Sequence, residues 1–124
     1  MRVPIMKQGD VLVASMQEAL TDGDLLELRD QLSDQVGRAR ARAVIIDVTS
    51  LDVLDSFATR TIRGIAYTAR LRGARTVVVG IQPEVAFAMV QLGLALDNVA
   101  TALDLEEGLS LIKKEARRGS GKFG

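Results

Sequence analysis

The sequence predicts an α/β domain built on a mixed sheet, and three observations carry that reading. Short β-rich apolar runs, Val11–Met16, Val44–Val48 and Arg75–Val79, alternate with segments whose apolar residues recur every three or four positions. Two runs at the start, Val3–Met6 and Val11–Met16, are separated only by Lys7-Gln8-Gly9-Asp10, whose Gly-Asp pair suits a tight reversal, so they read as a hairpin. The chain is also 48% hydrophobic but only 3% aromatic, a supply of Val, Leu, Ile and Ala that suits a compact core. A hairpin followed by α-β-α-β-α-β-α implies parallel pairing through right-handed crossovers, hence a mixed sheet packed with helices.

Each element after the hairpin has its own signal. Thr21 can cap a helix, with Asp24 in the place of the capping-box acid, and Leu25, Leu28, Leu32 and Val36 form a buried stripe that Gly37 is expected to end. The strand Val44–Val48 leads through an acidic turn to a helix beginning near Ser56, whose apolar face is Ala58, Ile62, Ile65, Ala66 and Ala69 and which Gly73 closes. After Arg75–Val79 comes Gly80-Ile-Gln-Pro83. Proline suits a first helical turn, and Val85, Met89 and Leu92 face inward before Gly93. Val99–Leu103 is a last strand. Asp104 with Glu107 then starts a terminal helix carrying Leu105, Leu109, Ile112 and Ala116. From Arg117 the composition turns polar and Gly-rich, so residues 119–124 are expected to be disordered.

Composition excludes much. At 124 residues the chain is one domain. Sixteen Lys and Arg balance sixteen Asp and Glu, so the overall field offers no case for nucleic acid, and few aromatics are present for bases to stack on. With no His and no Cys there are no disulfides, no imidazole or thiolate metal ligands and no usual general base, and a hydrolase triad cannot form. No apolar run is long enough to cross a bilayer and the N-terminus lacks a signal-peptide pattern, so a cytoplasmic, membrane-free protein is expected.

The residue to explain is Ser56. At a helix start its hydroxyl either caps the helix or stands where the positive helix end can accommodate a phosphate on that oxygen. Asp47, Asp52 and Asp55 read as turn and capping residues rather than a metal site. Asp47 alone would suit a phospho-accepting receiver, but the acidic pair and the lysine of that site are missing: Ser15-Met16-Gln17 and Val79-Gly80-Ile81 stand there instead. Arginines 38, 40 and 42, with 60, 63, 70 and 72, and the acids Glu27, Asp30 and Asp34 are either solvated faces or complementary docking surfaces.

At these residues the chain resembles the STAS domain, the module of sulfate transporters and anti-sigma-factor antagonists. The family's pattern is a strand-end Asp, a short linker and Asp-Ser at a helix start, and Asp47-Val-Thr-Ser-Leu-Asp-Val-Leu-Asp55-Ser56-Phe57 matches it. The likeness is closer still to single-domain stressosome scaffold proteins of the RsbS type. It includes Val3-Pro-Ile, Gly80-Ile-Gln-Pro83, Leu92-Gly-Leu-Ala-Leu96, and Thr101-Ala-Leu-Asp-Leu-Glu106 followed by Gly108-Leu109. It implies a STAS domain over residues 1–118, with no catalytic activity, metal or cofactor. In that reading the chain assembles with itself and with an RsbR-type co-antagonist, and sequesters an RsbT-type serine/threonine switch kinase. The kinase docks around Asp52, Asp55, Ser56, Phe57, Thr59 and Arg60, phosphorylates Ser56 and departs, and a PPM-type phosphatase resets the serine. A second phospho-acceptor threonine of RsbR-type relatives aligns with Asp22, beside Thr21. Two other readings are a monomeric antagonist binding an anti-sigma kinase directly, and a ligand-binding STAS module with a nucleotide pocket between the Gly80–Pro83 loop and the Ser56 turn.

Overall fold

The computed structural model describes residues 3–17, 20–97 and 99–123, with side chains described through Arg117. Strands β1 (Ile5–Gln8) and β2 (Val11–Ser15) form the N-terminal hairpin. Helix α1 (Asp22–Ala39), β3 (Ala43–Asp47), α2 (Ser56–Leu71), β4 (Arg75–Val79), α3 (Pro83–Gln91), β5 (Ala100–Ala102) and α4 (Leu105–Phe123) follow. The strands lie in the order β1-β2-β3-β4-β5, with β1 antiparallel to β2 and every other pair parallel.

That order decides where the helices go. Each crossover steps one strand over in the same direction, so right-handed connections put α1, α2 and α3 on one face. There Leu12, Ala14, Val44, Ile46 and Val78 meet Leu28 and Leu32 of α1, Ile62 and Ile65 of α2, and Val85 and Met89 of α3. The alternate strand residues Val11, Val13, Ala43, Ile45, Val77 and Val79 point to the opposite face, where Ile112 and Leu109 of α4 cover them. The fold class is therefore the α/β mixed sheet the sequence predicts.

Several boundaries differ from the sequence reading, each for a physical reason. The first strand is Ile5–Gln8 rather than Val3–Met6: Gln8 pairs with Val11 across a two-residue Gly9-Asp10 turn. Lys7 and Gln8 looked like loop because β1 is an edge strand with a solvent face. Gly37 does not end α1. The helix continues to Ala39 and turns off at Arg40, whose φ of 49° is left-handed. Gly37 is instead a crossing point, since a Cβ there would lie 2.8 Å from Cζ of Arg72, whose guanidinium donates to the Ser33 carbonyl at 2.8 Å. Leu92 is 70% exposed because α3 stops one residue earlier, leaving Val85 and Met89 as its inward face.

The Thr21 cap forms as read, its Oγ1 accepting from the Asp24 amide at 3.0 Å while Asp24 accepts from the Thr21 amide. The backbone of α4 stays helical to Phe123, across the segment whose composition predicts disorder. A helix anchored by packing in its first turns extends at little further cost, because propagation needs no new nucleus. Gly124 and the side chains of residues 118–123 lie outside the described residues.

Candidate functional site

The site lies at the carboxyl end of the sheet, where β3 hands the chain to α2. Asp47 closes β3. Its Oδ1 accepts from the Thr49 amide at 2.9 Å and the Thr49 hydroxyl at 2.6 Å, while its carbonyl accepts from the Met16 amide at 2.9 Å. Its carboxylate is thus spent on holding the turn, and among the described residues no group of three acidic side chains is placed to hold a metal. The turn is nailed down by two buried residues, Leu51 and Leu54, and between them Asp52 and Val53 face solvent.

Asp55, not Ser56, is the N-cap of α2. Its Oδ1 accepts from the Ala58 amide at 2.7 Å. Ser56 is therefore the first helical residue, exposed, and its hydroxyl takes part in no hydrogen bond among the described residues. The ordinary capping role proposed for this serine is already filled by its neighbour. At N1 the Ser56 amide is one of the helix-end donors that no carbonyl of the helix can reach. Such an end tolerates negative charge.

The other expected docking residues separate by burial. Asp52, Asp55 and Arg60 are exposed, and Phe57 is half-buried against the main core. Thr59 is 0% exposed, and its hydroxyl donates to the Asp55 carbonyl at 2.8 Å. This corrects its placement on the docking surface: a threonine can enter the core of a helix because the carbonyl four residues back accepts from it. Thr59 steadies the first turn from beneath.

Three supporting residues were not singled out in the sequence. Thr49 sits against Gly80, whose φ is 81°, so closely that a Cβ on Gly80 would lie 3.0 Å from Thr49 Cβ and 3.1 Å from its Cα. Gln82 Nε2 donates to the Thr49 carbonyl at 2.7 Å. Together they tie the Gly80–Pro83 loop to the turn that follows β3. Val53, 69% exposed in an otherwise polar turn, was also overlooked. Beside it a small depression of about 80 Å³ is lined by Met16, Leu51, Leu54 and Asp55.

The arginines are partly committed. Arg63 donates to the Ala95 carbonyl at 3.2 Å, Arg38 pairs with Asp34 at 3.1 Å, and Arg29 pairs with Asp30 at 3.0 Å. Much of the charge that could have served docking is satisfied within the chain.

Asp55→Ala is expected to lower stability by about 1 kcal/mol, the usual worth of an N-cap carboxylate. The chain should remain folded with the first turn of α2 frayed. Thermal melts and amide exchange at Phe57 and Ala58 check this.

Comparison with known proteins gives this geometry a context. A family model described as the STAS domain matches residues 2–108. Among solved structures, a serine-to-glutamate variant of RsbS from Moorella thermoacetica is similar at 35% identity, over 93% of this chain and 97% of that one, with a TM-score of 0.81. A chain from a structure of the stressosome, described as a signal integration and transduction hub, is 34% identical over 92% of this chain and 99% of its own, with a TM-score of 0.77. The RsbT co-antagonist protein RsbRA of Bacillus subtilis is 33% identical over 82 residues, 66% of this chain but 30% of that protein. The chain thus spans under a third of the curated relatives it matches. The anti-sigma factor antagonist SpoIIAA shares the fold at 18% identity and a TM-score of 0.71. No described helix is long and apolar enough to cross a membrane. Matched over residues 2–108 by its family model, and aligned along nearly the whole of RsbS, the chain belongs to the STAS domain family.

Proposed function

We propose that this chain is a non-catalytic antagonist and scaffold of the stressosome kind, working by partner switching in the cytoplasm. In this reading it holds a serine/threonine switch kinase of the RsbT type and releases it when Ser56 is phosphorylated, and a PPM-type phosphatase reverses the step. The likeness to RsbS and to RsbT co-antagonists supports the signalling context. The observation that carries the site is the division of labour at the α2 start: Asp55 caps, so the Ser56 hydroxyl is exposed and uncommitted.

The chemistry of release follows from charge. A phosphate on Ser56 adds about −1.5 to −2 charges beside Asp52 and Asp55. The helix end partly offsets this within the chain, so the fold survives. A partner seated over Asp52, Val53 and Ser56 instead meets new repulsion and a larger desolvation penalty. Incubation with the cognate kinase and ATP, followed by mass spectrometry, tests the assignment.

The same reading expects co-assembly with an RsbR-type partner. Mixed purified partners should give a particle much larger than either alone in light scattering. Exposed charge contacts between preformed domains should weaken as salt rises, because screening acts over about 8 Å at physiological ionic strength. Only independent small species at moderate salt would sink the scaffold reading and favour a small antagonist that binds its kinase directly.

A further inference from the structure

We propose that Gln82, at the start of α3, is a positioning residue for Ser56: it holds the turn between β3 and α2 in the shape that presents the serine to its kinase. This role rests on the partner-switching reading of Ser56 and adds to it a residue from another element. Position 82 is the N-cap of α3, where a side chain ordinarily accepts from the amides of the first helical turn. Gln82 makes no such bond. Its side chain reaches instead across 33 positions of the chain, where Nε2 donates to the Thr49 carbonyl at 2.7 Å.

On local grounds that arrangement is unfavourable. Glutamine is not among the favoured caps, and fixing its long side chain in one conformation costs rotamer freedom. The bond is also solvent-exposed, so water would satisfy the same carbonyl in its absence and the fold as a whole gains little from it.

What the bond does fix is Thr49. The amide and hydroxyl of Thr49 both donate to Asp47 Oδ1, at 2.9 and 2.6 Å, so with Gln82 every polar group of this residue is held. Gly80 closes on it as well, since a Cβ there would lie 3.1 Å from the Thr49 Cα. The direction of the Thr49 carbonyl sets the plane of the peptide joining it to Ser50, and hence the path on which the chain leaves for Ser56. Along that path Ser50, Asp52, Val53 and Asp55 are exposed, while Leu51 and Leu54 anchor it to the core. A kinase that needs the turn in one arrangement binds with an affinity lowered by the fraction of chains that lack it. Without the tie, the held arrangement loses roughly three- to tenfold against its alternatives, the worth of one hydrogen bond.

The test is Gln82→Ser in the full chain. Serine caps α3 but is too short to reach Thr49, so it removes the tie while improving the helix start. The variant is expected to melt at the parent's temperature or above. Amide exchange should quicken at Thr49 and Leu51 but not at Val85 and Ala86. With the cognate kinase and ATP, KM for transfer to Ser56 should rise roughly three- to tenfold at unchanged kcat, and Gln82→Ala, with neither cap nor tie, should show the same rise. Exchange at Thr49 and Leu51 equal to the parent's would overturn the proposal, as would an unchanged KM with Ser56 phosphorylated in every chain. So would a clear fall in the melting temperature of Gln82→Ser, because the bond would then serve the fold at large. A parent chain that takes no phosphate on Ser56 is a different failure: it overturns the functional reading, and this role with it, whatever the exchange shows.

Discussion

Replacing Ser56 with alanine is expected to leave the domain folded and to abolish phosphate transfer to it. The side chain is exposed and its hydroxyl holds nothing, so its loss should change stability by no more than about 0.5 kcal/mol. Under the proposed function the expected effect is all or none: stoichiometric phosphate on the parent chain, none on the variant. The kinase should then stay bound after ATP is added. Ser56→Asp should release it only in part, since one carboxylate carries less charge than a phosphate. Mass spectrometry reads the transfer, and co-purification before and after ATP reads the release. Phosphate on Thr21 or Thr61 with Ser56 unmodified would refute the assignment; Thr59 could accept only if the first turn of α2 opened, because it is fully buried.

The largest stability effect near the site is expected at Gly80, 24 residues further along the chain from Ser56. Gly80→Ala faces two separate penalties. An L-residue at φ 81° costs about 1–2 kcal/mol, and the new methyl would overlap Thr49, adding about 1–3 kcal/mol. The sum, about 2–5 kcal/mol, is a large part of the stability of such a domain. Gly93 offers a control: its φ is 68°, but nothing lies within 4 Å of where its Cβ would be, so Gly93→Ala carries only the conformational part. Adding Thr49→Ala to Gly80→Ala should recover some of the steric part, although it also removes the hydroxyl that bonds Asp47. Urea denaturation of the three variants beside the parent measures each share. Equal losses at Gly80 and Gly93 would show that the Thr49 contact relaxes freely.

What could be read from the sequence was what local pairs and periodicity decide. The Thr21–Asp24 box, the stripe Leu25, Leu28, Leu32 and Val36, and Pro83 in the first turn of α3 all formed as patterned. Asp55 and Ser56 are a harder case, because either residue makes a good cap. Burial of Leu51 and Leu54 fixes the turn so that Asp55 faces the Ala58 amide. That is a tertiary effect. Thr59 misled for a related reason: polarity suggested surface, whereas its position beside Ile62 and Ala66 on one helical face decided its burial. The bond from Gln82 to the Thr49 carbonyl spans 33 positions and leaves no local trace. The same holds for Arg72 crossing α1 at Gly37, where the glycine read as a stop signal.

The lengths of the two outer strands bear on how many copies of this chain can live together. Open sheet edges are templates for uncontrolled strand pairing, and crowding many copies into one particle raises that hazard. Here one edge is β1, four residues long with Lys7 in its middle, and the other is β5, three residues long. Neither offers a run on which a foreign strand could lengthen the sheet into a fibre. Copies brought close together are left to meet through side chains on helices and loops, contacts that can be reversed, and the protein is guarded against aggregation by the brevity of its own margins.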